Sequence, residues 1–300
     1  MSYNETFFRP EDNARYLSKL NLQLVMQKRV LDFLIKNLIA ANNQIQLEHC
    51  DCFLHLIAKI RINLESINSV LTFLYEDYRF KVSANLLYRS VVDDIITITY
   101  LIGFIKLDDP LQSALNNELN ILHKEYLLSS IEAVKSEFEF QDLVNSYKNE
   151  PSIEKPDYIK EIKESNPELI DENFEWKRNE DIRKTTHLAF IDLMNQDGKK
   201  RKSFITEEKK LEFIKNRGFE THSQLRGLFK YYTQYQHYSP KTINLLNSHI
   251  DFDIVSYQNV LGNVVLTIDR LYDFINFENK ESLKKEWEEL SNIVFDSFKE

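Results

Sequence analysis

Glycine and proline let a chain turn tightly, and the 300 residues here hold only 5 of the first and 6 of the second. Sandwiches, barrels and doubly wound sheets need many tight connections, which so few turn residues cannot supply. Long helices are what remain. The predicted fold class is all-α: a multi-helix bundle with long antiparallel helices. At this length the chain can bury one large core or two modest ones.

The apolar spacing agrees. From Glu11 to about Ile45, Leu17, Leu20, Leu24, Leu31, Leu34 and Leu38 recur at three- and four-residue intervals, which lines one face of a helix. Phe53, Leu56, Ile60, Leu64, Ile67, Leu71, Leu74 and Tyr78 repeat the pattern, and two such stripes pair naturally as antiparallel neighbours. The segment from Ser83 to Lys106 is apolar on nearly every side, through Leu86, Leu87, Val91, Val92, Ile95, Ile96, Ile98, Leu101, Ile102 and Phe104. A helix of that kind belongs in the middle of a bundle. Asp108, Asp109 and Pro110 end it, and a fourth helix is predicted from Leu111 to about Tyr147.

Residues 1–148 therefore read as the N-terminal half of a helical bundle. Residues 149–180 read as a polar connector, because Pro151, Pro156 and Pro167 fall in an acidic, polar stretch. Residues 181–300 read as C-terminal helices completing the same bundle. They run from Asp181 to the Asp197-Gly198 break, from Thr206 to Asn216 and from Glu220 to Tyr238. Beyond Ser239-Pro240, one helix is marked by Tyr257, Val260, Leu261, Val264, Ile268, Leu271 and Ile275, and a last one runs from Leu283 to Phe298.

Location and partners are narrowed by what the residues can tolerate. Cys50 and Cys52, two positions apart, project to different sides of a helix and cannot bridge each other, which fits a reducing compartment. Met1 to Pro10 lacks the basic start and apolar run of a secretory signal. The longest apolar stretch, Ile95 to Ile105, is too short and too interrupted to span a bilayer. A cytoplasmic location with no membrane association is expected. A net charge of −9 repels phosphates on average, which disfavours generic DNA coating while leaving room for RNA in a local basic pocket.

Two features stand out as candidate chemistry. Arg89 and Asp93 lie one helical turn apart inside the apolar third helix, where charge is costly unless paired or used. They read either as an ion pair holding the bundle in register or as a clamp for a phosphate or carboxylate. The second feature is the run Phe229-Lys230-Tyr231-Tyr232-Thr233-Gln234-Tyr235-Gln236-His237. Here Thr233 and His237 project from one helix face, and the imidazole suits an acid, a base or a favourable contact with the helix dipole.

Together these segments resemble an uncharacterised bacterial helical family, domain of unknown function fifty-six seventy-seven. Its members carry an Arg-x-x-x-Glu step on a very apolar helix and, well downstream, a Ser/Thr-x-x-x-His step preceded by tyrosine. This chain has Arg89-Ser90-Val91-Val92-Asp93, with Asp for the usual Glu, and Thr233-Gln234-Tyr235-Gln236-His237, with Thr where Ser is commoner. Trp176 sits between the two steps, where such sequences often have a tryptophan, and the likeness spans about Leu71 to Leu246. The resemblance implies distant kinship with HEPN proteins, many of which serve in toxin–antitoxin and phage-defence systems and some of which are metal-independent ribonucleases. It implies a candidate catalytic set of Arg89, Asp93, Thr233 and His237 acting on RNA; the alternative is a non-catalytic helical adaptor or oligomerisation protein, whose polar cluster only fixes the packing and whose exposed helices bind a protein partner or a second copy. Self-association into a homo-oligomer is expected because long bundles pair through a leftover stripe.

Other chemistries are weaker. Arg217-Gly218-Phe219-Glu220-Thr221-His222 has the Arg-to-His spacing of HEPN ribonucleases, yet chance alone supplies such a match and Gly218 suggests a helix junction. His49, Cys50, Cys52 and His55 are metal-binding residue types, but only Cys52 and His55 share a face and no second cysteine pair follows. No Glu-x-x-His repeats, Gly-rich phosphate loop, nucleophile elbow or zinc-protease helix is present, so no metal and no cofactor is expected. Lys199-Lys200-Arg201-Lys202 reads as a solvated basic turn that could guide an acidic partner.

Overall fold

The computed structural model describes residues 13–42, 50–75, 77, 80–105, 112–151, 164, 205–236 and 250–271, with single positions between 281 and 292. Among these residues the regular structure is helical and no strand occurs. The chain divides into two compact units, Met1–Gly103 with Thr206–Glu300, and Phe104–Ile205.

In the first unit, α1 (Asn13–Asn42) and α2 (Cys50–Phe73) pack against each other. They are antiparallel, because Gln27 Nε2 donates to the Leu64 carbonyl while Tyr75, beyond the end of α2, donates its hydroxyl to Asn21. Helix α3 (Lys81–Ile102) runs back along α2 in the same manner, Lys59 meeting Asp94 and Asn63 meeting Ser90. On α2 and the turn after it Phe53, Ile60, Leu64, Ile67, Leu71 and Leu74 are buried as the periodicity predicts, but Leu56 is only half-buried while Leu54 and Ile57 join the core, and Tyr78 lies outside the described residues. Helix α1 departs from expectation: Leu20, Leu31 and Leu34 are buried, but so are Gln23 and Gln27, at 0% exposure, in the middle of the stripe.

Helix α3 is the hub. It packs on α2, on α5 (Glu207–Asn216), on α6 (His222–Gln236) and on α7 (Ile250–Leu271), which is why it is apolar almost all round. Leu86, expected in the core, is exposed, and Leu87 is only half-buried, so a narrow strip near the start of α3 escapes cover. Gly103 follows α3 because a Cβ there would lie 2.7 Å from Phe213 Cε1 of α5, closer than side chains approach.

Helix α5 stops at a left-handed glycine, Gly218, with φ 78°. Its N–H donates to the Lys215 carbonyl and the Phe219 N–H to that of Ile214, the paired bonds of a Schellman cap. In the second unit α4 (Ser113–Lys148) ends in the same way. Asn149 sits at φ 53°, and Asn149 N–H and Glu150 N–H donate to the carbonyls of Ser146 and Asn145.

No helix among the described residues is long and apolar enough to cross a membrane. The segment predicted as helical near Asp181, the basic tetrad at Lys199 to Lys202, Trp176 and nearly all of the 149–180 connector lie outside the described residues; of the helix predicted from Leu283 to Phe298 only Lys285, Glu288, Glu289 and Asn292 are described, and they are helical.

Candidate functional site

Arg89 projects from α3 towards α6, where its guanidinium carbon sits 4.0 Å from the centre of the Phe229 ring. Its side chain is 6% exposed and pairs with Asp93 one turn along, which is 31% exposed. Burial pushes the guanidinium below its ordinary pKa, opposed by the carboxylate of Glu207 on α5. Arg89 Nε has no hydrogen-bond partner among the described residues.

Thr233 lies one turn beyond Phe229 on the same helix. Its hydroxyl donates to the Phe229 carbonyl at 2.6 Å, a local bond of the kind threonine makes inside helices. Arg89, Asp93 and the turn leading to Thr233 are therefore neighbours across the α3–α6 seam. His237 lies outside the described residues.

The polar edge of α3 extends past Asp93. Asp94, a residue the sequence reading passed over, is more deeply buried than Asp93 and accepts a hydrogen bond from Lys59 at 2.6 Å. Burial raises its pKa, while Lys59 and the charge of Lys210 hold it down. Lys210 on α5 donates to Thr97 at 3.1 Å and lies 3.7 Å from Glu207. One side of α3 thus carries Arg89, Asp93, Asp94 and Thr97, and each is matched by a group of its own helix, of α2 or of α5.

A second cluster, wholly unpredicted, lies at the start of α3. Asp253 on α7 is fully buried and accepts hydrogen bonds from Tyr231 at 2.6 Å, from Tyr235 at 3.0 Å and from Asn85 at 3.0 Å. The ammonium of Lys81, also buried, is 3.4 Å from its other oxygen. Burial lowers the Lys81 pKa, and Asp253 opposes that shift. Beside this group Tyr88 donates its hydroxyl to Gln27 at 2.6 Å and accepts from Gln23 at 3.0 Å. The Tyr88 ring stacks on Tyr257 at 4.3 Å and on Tyr232 at 6.0 Å. The signal for this cluster was present as polar residues interrupting apolar stripes: Gln23 and Gln27 on α1, Lys81 and Asn85 on α3, Asp253 on α7. Such residues are costly to bury singly and so imply mutual satisfaction.

The remaining sequence candidates separate. Arg217 lies over the Phe213 ring at 5.1 Å, whereas the His222 ring contacts the Phe219 carbonyl at 3.3 Å. The two flank the Gly218 helix junction and are engaged apart. Cys52 is half-buried and His55 exposed; His49 and the Cys50 side chain lie outside the described residues. No group of three or more His, Cys, Asp or Glu suited to a metal ion occurs among the described residues.

Comparison with protein-family models, with characterised proteins and with solved structures returned no match.

Proposed function

We propose that this chain is a helical-bundle protein of the bacterial stress or antiphage type, working in the cytoplasm on RNA as a HEPN-like, metal-independent ribonuclease. The observation that supports this reading is the seat of Arg89 against Phe229, which sets a cation of α3 against the helix that bears Thr233, and His237 follows that helix in the sequence. In this reading Arg89, with its Nε donor unspent, steadies the charge developing on a phosphoryl group. Asp93, the more exposed member of the pair, orients Arg89 from the solvent side. His237 transfers the proton, a task suited to a group that titrates near neutrality.

A second reading is favoured by the depth of the same arginine. With 6% of its side chain exposed, a carboxylate on one side and a ring on the other, Arg89 already has a structural use in locking α3 to α6. A non-catalytic helical adaptor, binding a protein partner or a second copy of itself, needs nothing more from it.

His237→Ala separates the two. The parent and the variant are incubated with several classes of labelled RNA, and their melting temperatures are compared. The catalytic reading expects cleavage by the parent, a loss of about 10²-fold or more in the variant, and almost no change in melting temperature. A parent that cuts no RNA, together with a cellular phenotype indifferent to His237→Ala, leaves the adaptor.

A further inference from the structure

A chain of net charge −9 can hold RNA where cations stand together at its surface, and α6 carries two such groups one turn apart. The side chains of Arg226 and Lys230 are 60% and 57% exposed, and Thr233 follows on the same stripe of the helix. Lys230 also lies near the ring that seats Arg89. Its ammonium is 5.7 Å from the centre of Phe229, against 4.0 Å for the Arg89 guanidinium carbon. The exposed pair thus adjoins the buried arginine of the candidate site.

One carboxylate spans both cations. Glu208, in the first turn of α5, pairs with Lys230 through Oε1 and lies 3.8 Å from Arg226 Nε through Oε2. Its single charge cannot neutralise two cations. Its contact with Arg226 leaves out the terminal nitrogens of the guanidinium, which belong to the fork that grips a phosphate with two parallel bonds. All three side chains are more than a third exposed, so water screens both pairs and the carboxylate is weakly held.

We propose that Arg226 and Lys230 form a binding site for the phosphates of an RNA strand, and that Glu208 is an autoinhibitory contact which the RNA displaces. The proposal rests on the RNA reading above but not on cleavage. The exchange releases one carboxylate to solvent, gives the Arg226 fork phosphate oxygens to bind, and brings the strand alongside Thr233.

Fluorescence anisotropy of a labelled single-stranded 2′-O-methyl RNA, which cannot be cut through its 2′-hydroxyl, tests the site on the full-length chain. Glu208→Gln is expected to tighten binding by about threefold or more, the scale of one released exposed ion pair. Glu65→Gln makes the same change of charge in an exposed pair with Arg61 on α2 and is expected to leave binding nearly unchanged. Arg226→Gln and Lys230→Gln should each weaken binding and reduce the slope of log K against log salt by about 0.7. All four side chains are at least a third exposed, so the melting temperatures should stay near that of the parent. Equal affinities for Glu208→Gln and Glu65→Gln, cation variants that bind as the parent does, or no binding by parent and Glu208→Gln alike would overturn the site. Tighter binding of a poly-glutamate peptide than of the RNA would overturn it as well, in favour of an acidic protein. The ribonuclease reading fails separately: a parent that binds this strand yet cuts no unmodified RNA keeps the site and loses the nuclease, and one that cuts RNA regardless of these three residues keeps the nuclease and loses the site.

Discussion

At the start of α3, Lys81 and its counter-ion Asp253 are both sealed, with side-chain exposures of 1% and 0%. Farther along the same helix Asp94 is nearly as buried, at 5%, but its partner Lys59 is 58% exposed. Arg89 and Asp93 fall between these extremes, one partner buried and one about a third open. The first arrangement lets nothing relax, because neither charge can reach water if the other is removed. In the second, solvent is near one end of the pair and can take over part of the partner's work. The sealed cluster is therefore expected to govern stability, and the open edge to tolerate change.

The sharpest way to break this contrast is Asp253→Ala. It removes the carboxylate on which Lys81, Tyr231, Tyr235 and Asn85 converge, for an expected loss of about 5 kcal/mol, the upper end for a broken buried pair. Combining Lys81→Met with Asp253→Leu removes both charges and is expected to recover most of that loss in urea titrations. A single-variant cost below about 1 kcal/mol would mean that the cluster is open to water after all.

Alkaline pH probes the same region without mutation. The pKa values of Tyr88, Tyr232 and Tyr257 are raised by complete burial above the ordinary 10.0. Unfolded tyrosines release protons from about pH 10 while these three keep theirs, so the unfolded state binds fewer protons and stability falls as pH rises past 10. Three such groups approach a slope of about 4 kcal/mol per pH unit. Urea midpoints measured between pH 9 and 11 give the slope directly, and a flat profile would contradict the sealed core.

The open edge gives the smallest effect. Lys59→Ala should cost about 1 kcal/mol, since water reaches the position the ammonium leaves. Asp94 has a folded pKa raised above 3.8, so its contribution weakens as pH climbs from 3.8 through the folded value. Removing Lys59 takes away a group that holds that pKa down, so the deficit of the variant should be greater at pH 7 than at pH 4. An equal deficit at both would show that Asp94 does not depend on Lys59.

Much of the architecture was legible before any coordinates. The scarcity of turn residues excludes sheet folds, three- and four-residue spacing marks α1, α2 and α7, and an all-round apolar α3 has to be central. These are properties of local sequence, because a helix is closed by bonds four residues apart and its buried face follows from its own periodicity. The charge of Arg89 within α3 was visible for the same reason. Which groups answer the buried polar residues was not visible. Asp253 meets Lys81 across a separation of 172 positions, and Gln23 meets Tyr88 across 65. No periodicity links such distant residues; their partnership exists only once α1, α6 and α7 have closed around α3. The sequence pattern picks out Asp93, one turn from Arg89, but not its neighbour Asp94, because the packing of α2 and α5 on α3 determines which carboxylate is buried and which keeps its access to water.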